Sequence, residues 1–161
     1  MDERLKYIFE TVQPIIDAKK KFIMKKRQGK FTSKNESYCC VRLRNKLSGY
    51  SELVVKENDI DILPGWEVDI TVNTPYGWNV AIEWDGAYHR KPIYGQAKLN
   101  MRKAQDEYKN KMLYSKKYVL IRVRDDGSFN PEFVDRKVDE ICKIIKDLLE
   151  ADLCAYGKID I

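Results

Sequence analysis

The sequence predicts a single α/β (α+β) domain, a mixed β-sheet flanked by helices, with an extra helix at the N-terminus. Three observations predict it. Val68, Ile70 and Val72 alternate with Glu67, Asp69 and Thr71, while Val80, Ile82 and Trp84 alternate with Ala81, Glu83 and Asp85; this is the period of half-buried strands. Asn73 to Gly77, with Pro75 and Gly77, supplies a turn between the two runs, so they read as a hairpin. Near the end, Val134, Val138, Ile141, Ile145 and Leu148 recur at helical spacing. The 161 residues are enough for one domain with a buried core. A composition of 43% hydrophobic and 34% charged residues, with 5 prolines and 8 glycines, excludes collagen, low-complexity chains and a membrane bundle.

The elements follow in order. Leu5, Ile8, Phe9, Val12, Ile15 and Ile16 predict an amphipathic helix over residues 3–26, bent near Pro14 and broken at Gln28 to Lys30. Thr32 or Ser33 caps a second helix running to about Leu47, with Glu36 in its first turn and Val41, Leu43 and Leu47 buried. A short strand is expected over residues 52–56, then a loop to Gly65, then the hairpin strands over 66–72 and 79–85. Gly86 to Gly95 reads as a loop, 98–116 as a helix and 118–123 as a strand; Pro131 opens a last helix to about Glu150. Residues 1–31 are thus expected to form a basic helical arm, and 32–161 the domain proper.

Charge and rare residues narrow the function. The net charge is +5, and Lys19, Lys20, Lys21, Lys25, Lys26, Arg27 and Lys30 crowd into the arm. That cluster reads as a solvated helix face or as a grip on nucleic-acid phosphates. Cys39, Cys40, Cys142 and Cys154 include no C-x-x-C pair and lie far from His89, the one histidine; no zinc site is expected. The N-terminus lacks the apolar core of a signal peptide and no apolar run reaches spanning length, so a cytoplasmic chain with no membrane partner is expected. Trp84 is expected in the core, and Trp78 at the hairpin turn either packs or contacts DNA.

The chemistry is concentrated on the polar face of the hairpin. Asp69, Glu83 and Asp85 are acidic residues within strands, where such residues are depleted and costly to bury unpaired. If one face carries all three, a divalent cation relieves their repulsion; magnesium suits oxygen donors, with manganese as a substitute. His89 stands four residues after Asp85, placed to act as a general base or to orient water or phosphate.

The runs Glu67-Val68-Asp69-Ile70 and Ala81-Ile82-Glu83-Trp84-Asp85-Gly86-Ala87-Tyr88-His89, then Asp106-Glu107-Tyr108-Lys109 and Leu120-Ile121-Arg122-Val123, resemble in order and spacing the very-short-patch-repair-like branch of the PD-(D/E)xK nuclease superfamily. Glu36 followed by Leu43 and Arg44 reproduces a further spacing of that branch. The resemblance implies a restriction-endonuclease-like fold and a metal-dependent DNA endonuclease acting as monomer or homodimer. It implies that Asp69 binds the metal together with Glu83 or Asp85, the latter standing where the superfamily's lysine usually does. Glu36, His89 and Asp106 match an E-D-x-H-D set of phage homing endonucleases, and Lys109 supplies a displaced lysine. Tyr88 and Arg90 are expected to contact DNA beside the site. A phage, viral or mobile-element context follows, with the host cytoplasm or nucleus as alternative locations. Three departures stand out: no proline directly precedes Asp69, the zinc-binding ligand set is absent, and residues 1–31 fall outside the resemblance. The RNA-associated RAP domain resembles the same central stretch, so a non-catalytic nucleic-acid module remains an alternative, as does a nuclease subunit of a larger restriction or transposition assembly.

Overall fold

A computed structural model describes residues 33–151 and 158–161, together with positions 3, 10, 11, 14, 15, 17, 18 and 21; Tyr88 and Lys158 are described for their backbone alone. The elements are α1 (Lys34–Lys46), β1 (Val54–Asp59), β2 (Val68–Asn73), β3 (Asn79–Asp85), a 3-10 turn (Ala87–His89), α2 (Gln96–Ser115), β4 (Tyr118–Arg124), α3 (Pro131–Ala151) and β5 (Lys158–Asp160). The strands form one mixed sheet in the order β1-β2-β3-β4-β5. The first three are antiparallel to one another, whereas β3, β4 and β5 run parallel, with α2 and α3 in the two connections. This is the α/β architecture the sequence predicts.

Local chemistry sets the helix ends. The Glu36 backbone N–H donates to Ser33 Oγ at 3.1 Å, and the Ser33 N–H donates back to Glu36 Oε2 at 3.4 Å, a complete capping box. Ser33, not Thr32, is therefore the cap. At the start of α3 the Asn130 side chain accepts from the Phe133 N–H at 3.1 Å, and Pro131 takes the first helical position, where a missing N–H costs nothing. In the hairpin, Gly77 takes a φ of 81° that a side chain would strain.

Two apolar layers hold the sheet. On one face Ile70, Val72, Val80, Ile82, Val119, Ile121 and Val123 pack under α1 and α3, meeting Cys39, Leu43, Val138 and Ile141. On the other, Val68, Ala81 and Leu120 pack with Leu113 of α2. Each fully buried Leu or Ile stabilises the fold by about 2 kcal/mol. Val41 is 51% exposed rather than buried: at 100° per residue it falls outside the stripe of Cys39, Cys40, Leu43 and Leu47. Trp78 is buried in the larger cluster, not displayed for DNA.

β1 begins two residues and ends three residues later than the strand expected over 52–56. Asn58 takes a φ of 50°, and the pair beyond it, Asp59 and Val68, turns to the α2 side. There Val68 joins Ala81 and Leu120, and buried Asp59 accepts from Thr71 Oγ1 at 3.0 Å. Among the described residues no helix is long and apolar enough to cross a membrane.

Candidate active site

Two polar clusters occupy the end of the sheet where β2 begins and β3 ends. In the first, Asp69 of β2 and Glu83 of β3 face each other across the ladder, one step beyond the Ile70–Ile82 pair. Asp69 Oδ2 accepts from the Trp84 backbone N–H at 2.7 Å, which anchors the carboxylate to the neighbouring strand. From α2, the Lys109 ammonium donates to both Glu83 oxygens at 2.7 Å and to the Glu67 carbonyl at 2.5 Å. From the start of α1, Glu36 brings a third acid that is only 7% exposed.

The charge of Glu83 makes both Asp69 and Glu36 harder to ionise. Burial pushes Asp69 well above the usual carboxylate range, the charges of Glu83 and Glu36 push it further, and Lys109 and the Trp84 N–H oppose them. Burial likewise lifts Glu36 to about 7, partly offset by its two bonds with Ser33 and reinforced by Glu67 and Glu83. Half-buried Glu67 is raised by burial as well. Among the described residues, one ammonium, that of Lys109, stands against this set of acids.

In the second cluster each carboxylate has a close nitrogen partner. Arg122 Nη1 donates to Asp85 Oδ1 at 2.6 Å and Nη2 to Asn110 Oδ1 at 2.7 Å. His89 Nδ1 lies 2.9 Å from Asp106 Oδ2 and 3.7 Å from Asp85 Oδ1. Burial raises the Asp85 carboxyl despite Arg122 and His89. Burial also opposes ionisation of Asp106, but the His89 hydrogen bond and the charges of His89, Arg122 and Lys109 outweigh it, so its pKa is lowered. The i, i+3 spacing of Asp106 and Lys109 puts both on the face of α2 that meets the sheet, one for each cluster.

The sequence expectation is met in part. The structure brings Glu36, Asp69, Glu83 and Lys109 together, and it brings Asp85, His89 and Asp106 together. It does not gather Asp69, Glu83 and Asp85 as a ligand set. Asp85 turns to Arg122, and among the described residues no three His, Cys, Asp or Glu side chains are placed to share one metal ion. Arg90 faces inward: its guanidinium donates to the Asp85 carbonyl at 2.8 Å and the Asp125 carbonyl at 3.4 Å, tying the ends of β3 and β4 together rather than reaching for DNA. Lys21 pairs with Asp61 at 2.9 Å on the surface. Lys19, Lys20, Lys25, Lys26, Arg27 and Lys30 lie outside the described residues, as does the Tyr88 side chain. Arg122 and Asn110 escaped the sequence reading as site residues. The signal for Arg122 was present: an arginine inside the apolar run Tyr118 to Val123 has to find a buried anion.

The donor chemistry suits magnesium in two respects: the oxygens are hard carboxylates, and the first cluster is short of positive charge. A polar hollow of about 570 Å³ lies at the other end of β3, lined by Lys56, Asp59, Asn73, Asn79, Lys117 and Tyr118, and contains none of these acids. No family model, no curated protein and no solved structure matches the chain.

Proposed function

We propose that the protein is a metal-dependent DNA endonuclease of the PD-(D/E)xK type. The observation that carries this reading is the grouping of Asp69 and Glu83 with Lys109, the one ammonium there among the described residues, with Glu36 near enough to act on Asp69, beside the Asp106–His89 pair. Asp69 and Glu83 are the oxygen donors for magnesium, because each is the other's neighbour while Asp85 belongs to Arg122. Bound there, magnesium supplies Lewis-acid stabilisation of phosphate charge and a more acidic water. With Asp106 ionised, His89 donates its Nδ1 proton to Asp106, and Nε2 becomes the nitrogen that accepts a proton from the attacking water or returns one to the leaving oxygen. Lys109 faces the developing charge on the phosphoryl oxygens. Arg122 and Asn110 hold Asp85 beside the imidazole.

A second reading, a non-catalytic nucleic-acid module, is favoured by one specific observation: Glu83 and Asp85 already have internal cations in Lys109 and Arg122. One experiment separates the two. Supercoiled, linear and single-stranded DNA are incubated with magnesium, manganese or EDTA, using wild type and Asp69→Asn. The nuclease reading expects metal-dependent cutting that falls at least about a hundredfold in Asp69→Asn with the fold intact. Absence of cutting on every substrate with both metals leaves the binding module, and equal cutting by Asp69→Asn removes the assigned site.

A further inference from the structure

The loop and helix that follow His89 carry a surface which the catalytic reading leaves unused. Between Arg90 and Gln105 there are five basic residues and no acidic one, so this stretch alone has as much positive charge as the whole chain nets. With Arg90 turned inward, Lys91, Lys98, Arg102 and Lys103 remain, all exposed. Apolar groups are exposed among them: Tyr94 is 71% exposed, Met101 59% and Ile93 56%. Lys91, Tyr94, Lys98, Met101, Arg102 and Gln105 line one cleft of about 90 Å³. The Lys98 ammonium lies 5.8 Å from the centroid of the Tyr94 ring, which braces the ring from one side.

The cleft is joined to the site at both ends. Lys91 stands two residues after His89, and Gln105 directly precedes Asp106, the partner of His89. α2 has no acidic residue in its first turn and no side-chain cap on its first N–H groups, so nothing there opposes an anion. An occupant must satisfy two demands together. Cations spaced along one helix face, with Lys98 and Arg102 about 6 Å apart along its axis, call for a phosphate backbone. A largely exposed tyrosine ring beside Met101 and Ile93 calls for a flat apolar partner. A paired duplex offers phosphates but keeps its base faces stacked internally, while an acidic peptide offers carboxylates in place of a phosphate backbone. An unpaired DNA strand offers both.

The geometry points to this cleft as a binding subsite for single-stranded DNA, with an unpaired base stacked on Tyr94 and the adjoining phosphates on Lys91, Lys98 and Arg102. The inference deepens the nuclease reading and rests on it for the choice of DNA: the favoured substrate presents an unpaired strand, such as a flap, gap or junction, next to the scissile bond.

The test is fluorescence anisotropy in EDTA with a labelled single-stranded DNA oligonucleotide, its duplex and the RNA of the same sequence, at several salt concentrations. Wild type is expected to prefer the single DNA strand over the duplex. Tyr94→Ala should weaken single-strand binding about tenfold with little change in salt slope, and Tyr94→Phe should restore it. Lys98→Met with Arg102→Met should lower the salt slope by about 1.4, whereas Lys143→Met on α3 should leave binding unchanged. Wild-type affinity by Tyr94→Ala, a preference for duplex, or tighter binding of the RNA each overturns the proposal. Tyr94-dependent binding without metal-dependent cutting would refute the nuclease reading alone; cutting with Tyr94-independent binding would refute the subsite alone.

Discussion

The two clusters at the end of the sheet are built from the same materials and balance them differently. Around Asp85, two carboxylates meet a guanidinium and an imidazole, and Arg122 and His89 face them at close range. Around Asp69, three carboxylates meet one ammonium among the described residues, and burial holds Asp69 and Glu36 towards their protonated forms. The contrast teaches that the acids around Asp85 find close partners in Arg122 and His89, whereas among the described residues Asp69 and Glu83 have Lys109 alone; on the nuclease reading proposed above, a divalent cation would take the place of the protons there. Proximity of acids alone does not make a metal site; the deficit of positive charge decides which acids are available.

The contrast breaks most visibly at Lys109, the one cation of the first cluster among the described residues. Lys109→Met leaves Glu83 buried beside Asp69 without a counter-charge and should cost about 3–5 kcal/mol in urea unfolding at pH 8. The loss should shrink at pH 5, where the acids can take up protons, and Lys109→Met combined with Glu83→Gln should recover most of it. Equal losses at both pH values would mean that Lys109 acts by packing rather than by charge.

Glu36 provides the next largest effect, with the opposite sign. Its pKa rises from 4.5 to about 7 on folding, so between those values the folded chain binds the extra proton and stability falls as pH rises. Glu36→Gln removes that penalty while retaining a group that can accept from the Ser33 N–H. It should therefore stabilise the protein at pH 8 by up to about 3 kcal/mol and change little at pH 4. A variant no more stable than wild type at pH 8 would contradict the charge deficit.

The smallest effect belongs to the balanced cluster. Asp106 keeps its charge below the ordinary carboxylate range, so its contribution is present above its unfolded value and lost as pH falls through the lowered one. Asp106→Asn should cost about 1 kcal/mol at neutral pH, with the difference from wild type vanishing in acid. Persistence of the difference in acid would show that shape, not charge, holds His89.

Much of the fold was legible because single residues announce it. Alternation located the hairpin, Ser33 with Glu36 announced a capped helix, and Pro131 marked the start of another. The parallel pairing of β3 with β4 had no local signal, since it depends on α2 packing across the sheet. β5 is three residues long, too short for any period to register. At the site, Asp69 and Glu83 were visible as acids out of place in strands. Lys109 was picked out by the resemblance of the Asp106-to-Lys109 run alone, since nothing else in that lysine-rich helix sets it apart from Lys103 or Lys111. Nor does the sequence around Arg90 announce that its guanidinium bonds the Asp85 and Asp125 carbonyls.

The buried link between Asn35 and Asp125 bears on the order in which the molecule is made. Asn35 Nδ2 donates to both Asp125 oxygens at 3.0 Å and to the Ser128 carbonyl at 2.9 Å, and its Oδ1 accepts from the Asn130 N–H at 3.0 Å. It thus pins the residue next to Glu36 to a loop 90 positions later. A chain emerging from the ribosome can form its hairpin early, yet Glu36 gains this anchor only after residue 130 has left the exit tunnel. Nascent protein accordingly carries Asp69 and Glu83 without the finished acid cluster, and the timing of translation withholds the completed site until the domain is nearly whole.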